Sequence, residues 1–180
     1  MKKDAKTVAG TSILGTLVVT LYYSMKFSGL KIPFPWLPYL KFDFTGVPIV
    51  LSPLFFGLAS GSTTSAIAFI AILIRGGDVV DVVGASAKAI AEFATILGMA
   101  IGAKLFKKTS NIEKGVSLIS GIATRTAVMF FVNLTIISFF LSTLIAAFNI
   151  IQGAIGILLG YFIHGVIIHK TPFFATATKT

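Results

Sequence analysis

Long apolar runs, separated by short polar or basic breaks, predict a series of membrane-spanning helices. The runs place helix 1 at about residues 6–24, helix 4 at 84–106, helix 5 at 113–141 and helix 6 at 147–169. At 1.5 Å per residue each helix is about 28 Å long or more, close to the roughly 30 Å of a hydrocarbon core. The pattern therefore predicts an all-α integral membrane protein.

The stretch 45–74 departs from this pattern, because as a single helix it would be about 45 Å long. Two prolines and two glycines interrupt it: Pro48, Pro53, Gly57 and Gly61. We therefore predict a short helix 2 at 46–56, a turn at 57–61 and helix 3 at 59–74, which completes a six-helix bundle. Helix 2 is too short to cross the membrane at full thickness, so we expect it to pack inside the bundle.

The connection between helices 1 and 2, about residues 25–45, is unusually apolar for a loop. It is rich in aromatic residues and prolines and carries one acid, Asp43. Loops are normally polar because they run over a solvated surface. We expect an extracellular lid that lies among lipid headgroups or folds over a flat apolar object.

Composition and charge agree with this prediction. Hydrophobic residues make up 56% of the 180 residues, charged residues 12%, and the mean hydropathy is +0.95. Soluble domains carry about 25% charged residues. The chain has no cysteine, which excludes disulfides and cysteine-ligated metals. We expect residues 1–180 to form a single transmembrane substrate-binding domain.

The basic residues favour six helices with both termini in the cytoplasm. Six crossings place the basic cluster at 104–114 on the same side as the N-terminal lysines. Five crossings would place that cluster outside, against the positive-inside rule. We therefore predict a multi-pass protein of the cell membrane.

The sequence shows no catalytic or metal-binding pattern. His164 and His169 are five residues apart, which is not the spacing of a helical metal pair. Asp78 and Asp81 offer too few oxygen ligands for a dedicated cation site and predict a solvated turn. No phosphate-binding loop is present, so the chain cannot hydrolyse nucleotides itself. We expect no enzymatic activity, no metal and no cofactor.

Charged residues inside the predicted spans mark a functional or structural site, because charges in lipid are costly. Glu92 lies about 12 Å from the outer start of helix 4, and Arg125 about 18 Å from the inner start of helix 5. The two residues are therefore at similar depth, and we predict that they pair. The pair either ties the helices together or binds a ligand. Lys88 lies one turn nearer the outer surface.

Three carboxamide side chains, those of Asn133, Asn149 and Gln152, are predicted to converge in the outer half of the bundle. Asn149 and Gln152 are three residues apart and share a helix face. Carboxamides offer paired donors and acceptors, which suit an uncharged heterocycle with imide and ring-nitrogen edges. Hydrogen bonds between helices are the alternative role.

At these positions the chain resembles the riboflavin-specific substrate-binding (S) subunits of energy-coupling-factor (ECF) vitamin transporters. Four stretches carry the resemblance: FPWLPYLKFDFTGVP at 34–48, FFGLASG at 55–61, RTAVMFFVN at 125–133 and AAFNIIQG at 146–153. Four positions depart from the family pattern. Gln152 replaces a usual Lys, Gly46 an acid, Ala147 a Pro and Glu92 an Asn.

The resemblance implies a protein that binds riboflavin from outside with high affinity. It implies association with a transmembrane coupling subunit and two cytosolic ATPase subunits, followed by toppling of the bundle to carry the ligand inward. Small residues of helix 1 form the docking face in the family, and four residues match approximately: Thr11, Ser12, Gly15 and Thr16. Internal packing is an equally supported role for them.

The resemblance and the side-chain chemistry together predict the ligand site. Aromatic and apolar lid residues, Phe42 among them, would cover the flavin or stack on it. The three amides would form hydrogen bonds with the polar edges of its ring. Asp43 would bind ribityl hydroxyls or cap helix 2. The predicted ligand-binding residues are Trp36, Tyr39, Leu40, Lys41, Asp43, Lys88, Glu92, Asn133, Asn149 and Gln152.

Alternative functions stay open at this point. Flavin mononucleotide would need a cation near the mouth, from Lys41, Lys88 or Arg75. The same architecture could bind thiamine, pantothenate or a nicotinate-like acid, with Lys88 or Arg125 as the anchor for a carboxylate. A self-sufficient small membrane facilitator is the other alternative.

Overall fold

The computed structural model describes residues 2–75, 79–105 and 110–170, and it contains helices and one hairpin. In chain order the elements are α1 (Lys2–Phe27), β1 (Ile32–Phe34), β2 (Leu37–Phe42), α2 (Gly46–Phe56), α3 (Leu58–Arg75), α4 (Val79–Leu105), α5 (Ser110–Leu134) and α6 (Phe139–Lys170). The predicted all-α membrane fold, with a short second helix and a lid before it, is confirmed. The turn predicted at Asp78 and the side chains of Arg75 and Asp81 lie outside the described residues.

Four of the described helices contain spans that are long and apolar enough to cross a membrane. These spans are Ala5–Phe27, Val82–Leu105, Ile112–Leu134 and Phe139–Lys170. The α2 helix is apolar but short, most of its residues are buried, and it packs against α1, α3 and α6. It therefore lies within the bundle, as its length requires in lipid. The chain is a multi-pass membrane protein.

A single residue, Gly57, separates α2 from α3. Its φ of 87° lies in the left-handed region that favours glycine. The predicted turn at 57–61 is therefore too long, since α3 already begins at Leu58. Gly61 belongs to α3, where a Cβ atom would come within 2.9 Å of Pro53 Cδ and 3.0 Å of Ile96 Cδ1. Glycine at this position allows α2, α3 and α4 to pack closely.

The boundary between α5 and α6 differs from the prediction of a helix 5 that continues to residue 141. The α5 helix ends at Leu134 and α6 begins at Phe139. The carbonyl of Asn133 accepts hydrogen bonds from Ile136 N (3.0 Å) and Ile137 N (2.8 Å), which closes the turn. The turn contains no glycine or proline, so the apolar pattern conceals it. Because α6 starts earlier than predicted, Asn149 lies about 15 Å along this helix rather than near its outer start.

The predicted lid contains a two-stranded antiparallel hairpin, which the sequence analysis did not specify. Ile32 pairs with Phe42, and an irregularity follows Pro33. The hairpin buries Phe34 together with Leu37 and Ile145. The Phe42 ring lies 4.9 Å from that of Phe148, centroid to centroid. Leu40 and Phe42, two residues apart on β2, therefore attach one face of the lid to α6.

Candidate ligand-binding site

A cavity of about 580 Å³ lies beneath the hairpin, between the lid and the halves of α4, α5 and α6 nearest to it. All predicted ligand-binding residues except Trp36 line this cavity. Those that do are Tyr39, Leu40, Lys41, Asp43, Lys88, Glu92, Asn133, Asn149 and Gln152. The tertiary structure thus brings together residues from the lid and from three helices. Their position around one cavity is a property of the structure, and their role in binding stays a prediction.

Trp36 lies away from the cavity, at the turn of the hairpin. Its side chain is 65% exposed, and its ring contacts that of Phe34 at 5.0 Å between centroids. Phe42 does not line the cavity either, because its ring packs against those of Phe34 and Phe148. Apolar cover for the cavity comes instead from Leu40 and Phe148. Strand alternation does not account for this division, since Tyr39, Leu40 and Lys41 all line the cavity.

The predicted pair between Glu92 and Arg125 is present at the floor of the cavity. Arg125 Nη1 lies 3.1 Å from Glu92 Oε1, and both side chains are at most 5% exposed. The same Nη1 donates to Thr95 Oγ1 at 3.1 Å, and Arg125 Nε donates to Asn149 Oδ1 at 3.0 Å. A buried ion pair needs such additional hydrogen bonds to offset the desolvation of its charges. The network therefore fixes α4, α5 and α6 relative to one another.

Gly46 makes room for the carboxylate of Glu92. A Cβ atom at position 46 would lie 3.2 Å from Glu92 Oε1 and 3.3 Å from Oε2. The carboxylate thus sits at the first turn of α2, where the helix dipole favours negative charge. Two departures from the family pattern, at positions 46 and 92, therefore meet at one place in the structure.

Asp43 and Lys88 connect the lid to α4. Lys88 Nζ donates to Asp43 Oδ2 and to Thr45 Oγ1, and Lys31 Nζ lies 4.0 Å from the same carboxylate oxygen. Burial opposes ionisation of Asp43, but Lys88, Thr45 and Lys31 outweigh it and lower the pKa of Asp43 from 3.8 to about 2. Burial lowers the pKa of Lys31. Asp43 therefore holds its negative charge at the end of the lid.

Asp43 does not cap α2 in the predicted way. Its Oδ1 accepts hydrogen bonds from Thr45 N at 3.2 Å and Thr45 Oγ1 at 2.6 Å. Thr45 itself occupies the N-cap position. The carboxylate therefore stabilises the turn that leads into the helix and does not bind the free N–H groups of the first helical turn. This arrangement leaves open the second predicted role, which is contact with ligand hydroxyls.

The three amides lie around the same cavity and donate to backbone carbonyls. Asn133 Nδ2 donates to Met129 O (2.6 Å), Asn149 Nδ2 to Ile145 O (2.9 Å) and Gln152 Nε2 to Asp43 O (2.7 Å). Gln152 thus connects α6 to the end of the lid. Its Oε1 is one of three buried side-chain atoms in the described part of the chain that have no hydrogen-bond partner. A buried acceptor without a partner is costly, so a donor at this position would stabilise the protein.

The four predicted docking residues of α1 fall on two faces of the helix. Ser12 and Thr16 are exposed. Thr11 is only 8% exposed and bonds to the hydroxyl of Ser60, and a Cβ atom at Gly15 would lie 2.6 Å from Ile67 Cδ1. Thr11 and Gly15 therefore pack inside the bundle, which corrects their predicted place on an outer face. Helical geometry separates the two pairs, although they are adjacent in sequence.

Several cavity residues were not identified from the sequence. Tyr22 and Lys26 near the end of α1, Lys31 of the lid and Phe148 of α6 also line the cavity. Thr95, which bonds to Arg125, lies three residues after Glu92, so its position on the same helix face was available from the spacing. The remaining residues are ordinary apolar or surface residues by sequence, and only the packing brings them to the site.

Comparison with solved structures shows which class of membrane protein has the same fold as this chain. A solved structure of the S component of a bacterial ECF transporter matches with a TM-score of 0.73 at 22% identity, over 92% of this chain and 97% of that chain. This chain therefore has the fold of an ECF S component, and the resemblance inferred from the sequence motifs is confirmed at the level of the fold. The riboflavin transporter FmnP of Bacillus subtilis (strain 168) is 40% identical over 112 residues.

The match to the riboflavin transporter is partial. It covers 60% of this chain and 57% of the relative, so the aligned part spans a little over half the length of that protein. No family model matches the chain.

Proposed function

We propose that this chain is the membrane-embedded, high-affinity binding subunit for riboflavin, which it delivers for uptake through an ATP-driven ECF transporter. The observation that carries the proposal is the capped cavity, in which the predicted amides and the Glu92–Arg125 pair meet beneath an apolar lid. The partial relative that is itself named a riboflavin transporter supports the choice of ligand. The chain acts in this proposal as a carrier and performs no chemistry on its ligand.

The size and lining of the cavity suit a flat heterocycle with polar edges. Its volume of about 580 Å³ lies within the range of about 300–1,000 Å³ typical of small-molecule sites. Leu40, Met129 and Phe148 supply apolar surface for the faces of an isoalloxazine ring. Asn133 and Asn149 supply polar groups for its edges.

The hairpin is the proposed lid of this site. Its contacts with the bundle are of two kinds, aromatic packing of Phe42 on Phe148 and the polar link from Asp43 to Lys88 and Gln152. Opening it would give riboflavin access from the extracellular side, and closing it would exclude water from the bound ring. Both termini would then be cytoplasmic, as the distribution of basic residues favours.

The proposed partners are a transmembrane coupling subunit and two cytosolic ATPase subunits, and toppling of the bundle would carry the ligand across. The S-component fold supports this assignment. The exposed pair Ser12 and Thr16 on α1 would contribute to docking, because small residues let helices approach closely in lipid. An apolar groove of about 450 Å³ between α1, α2 and α6 lies beside them, lined in part by Ile13 and Leu17.

Flavin mononucleotide is the second candidate ligand, and a specific observation favours it. Four lysines line the cavity: Lys26, Lys31, Lys41 and Lys88. Asp43 is paired with two of them, while Lys26 and Lys41 form no ion pair with a described residue. A phosphate at the mouth would therefore meet uncompensated positive charge.

The spectrum of the protein purified without added ligand tests the proposal directly, because flavins absorb in the visible range. Titration of the ligand-free protein with riboflavin should quench flavin fluorescence, and flavin mononucleotide should be titrated in parallel. Thiamine, pantothenate and nicotinate serve as competitors. Failure of riboflavin to bind, or displacement by one of these competitors, would refute the assignment. Flavin uptake by vesicles that contain this chain alone would instead indicate a facilitator.

A further inference from the structure

We propose that the Glu92–Arg125 pair forms hydrogen bonds with the bound ligand. The pair would make the site specific for a ring edge that presents an N–H group beside a carbonyl. In a flavin this edge is the imide of the pyrimidine ring. The inference rests on the proposed function, because it assigns these residues to the same cavity. Glu92 would accept from the imide N–H, and Arg125 would donate to the neighbouring carbonyl.

The ion pair uses only part of the hydrogen-bonding capacity of its two side chains. Glu92 engages Oε1, and Arg125 engages Nη1 and Nε. Within the residues that the structure describes, Glu92 Oε2 and Arg125 Nη2 form no hydrogen bond. A guanidinium and a carboxylate can form two parallel bonds, so the single bond leaves one donor group and one acceptor group of the pair unused.

These two free atoms are open to the cavity. The buried atoms without a partner in the described residues are Thr126 Oγ1, Gln152 Oε1 and His164 Nε2. Glu92 Oε2 and Arg125 Nη2 do not belong to this group of fully buried atoms. Both residues line the cavity and are otherwise almost fully buried. Their remaining accessible surface therefore faces the ligand space.

The local packing orients the pair toward the cavity. Thr95 accepts from Nη1, and Asn149 accepts from Nε, so two sides of the guanidinium are fixed by the protein. Gly46 lies against both carboxylate oxygens without a side chain that would cover them. In a low-dielectric site a charged donor and a charged acceptor bind a neutral imide more strongly than amides do.

The test compares riboflavin with 3-methylriboflavin, in which a methyl group replaces the imide proton. Both ligands are titrated by fluorescence quenching into the detergent-solubilised full chain. We expect the wild type to bind the methylated ligand at least about tenfold more weakly, because the methylated ring has no imide N–H to donate to Glu92.

The decisive variant is Glu92→Gln. Arg125 only donates, so the new amide oxygen must face Arg125 and the amide nitrogen then faces the imide N–H. We expect riboflavin affinity to fall about tenfold and the two ligands to bind within about threefold of each other. The control is Thr126→Val, next to Arg125 on α5, which removes a hydroxyl that has no hydrogen-bond partner among the described residues and does not line the cavity. It should retain the wild-type preference for riboflavin even if its melting temperature changes.

The outcomes separate this inference from the proposed function. If the wild type binds riboflavin but Glu92→Gln retains both the affinity and the preference, the pair is structural only and the inference is wrong. An equal loss of preference in Thr126→Val would also overturn it, because the effect would then come from a general disturbance of α5. Absence of riboflavin binding by the wild type would refute the proposed function itself.

Discussion

Substitution of Asp43 by Asn should loosen the lid, because the Asp43 carboxylate joins the hairpin to α4 through Lys88. Its pKa lies at about 2, below the ordinary 3.8, because Lys88, Thr45 and Lys31 favour the charged form and outweigh the effect of burial. The difference corresponds to about 2 kcal/mol, and Asp43 is buried enough that solvent screening removes little of it. Asp43→Asn should therefore speed dissociation of bound riboflavin by about 10- to 30-fold.

Stopped-flow fluorescence measures this rate, and a double-mutant cycle identifies its cause. Lys88→Met should speed dissociation by a similar factor, and the double variant should add little to either single change, because both remove one interaction. If Asp43 bound the ribityl hydroxyls directly, Asp43→Asn would still have its full effect in the Lys88→Met background. A dissociation rate within about twofold of wild type in Asp43→Asn would show that the Asp43–Lys88 link does not hold the lid closed.

The pH dependence follows from the same pKa. Because the folded-state pKa of Asp43 lies below its unfolded value of 3.8, the stabilisation is complete well above that value and is lost as the pH falls through about 2. The contribution of Asp43 to lid closure should therefore be constant between about pH 5 and pH 8. A dissociation rate that changes several-fold across this interval in the wild type, but not in Asp43→Asn, would contradict the assigned pKa.

Three further predictions follow from the structure. Asn149→Ala should weaken flavin binding tenfold or more, about 1.4 kcal/mol, and unchanged fluorescence quenching would remove Asn149 from the site. Gly61→Leu should lower the thermal unfolding temperature, because the new side chain meets Pro53 at a contact that already excludes a Cβ, at a cost of about 1–3 kcal/mol. A Ser12→Leu, Thr16→Leu variant should retain flavin binding but lose ATP-driven uptake with the coupling partners, and full uptake would exclude this face from docking.

The path of the chain through the membrane could be predicted from the sequence because it depends on local properties. An apolar run of sufficient length is stable as a helix in lipid wherever it occurs. The end of α2 at Phe56 matched the prediction because Gly57 ends the helix at its own position, whereas Pro48 and Pro53 lie inside the helix. The end of α5 was missed because the residues that close its turn are apolar and contain no such breaker.

Residue identities at the site were also partly predictable. Polar side chains in a span must find a partner or a cavity, and this requirement alone identified Glu92, Arg125, Asn149 and Gln152. All four line the cavity. Their partners were less predictable. The link between Lys88 and Asp43 joins residues 45 positions apart, and no local pattern specifies it.

The sequence by itself determined that this protein is a helical membrane bundle, that its lid is apolar, and which polar residues lie within its helices. These properties follow from the cost of placing peptide groups and charges in hydrocarbon, which each segment bears independently. Only the tertiary structure decided that the lid is a hairpin, that Trp36 lies outside the cavity, and that Thr11 faces inward while Ser12 faces outward. Those outcomes depend on how each helix and strand is rotated against its neighbours, and close packing among distant residues sets that rotation.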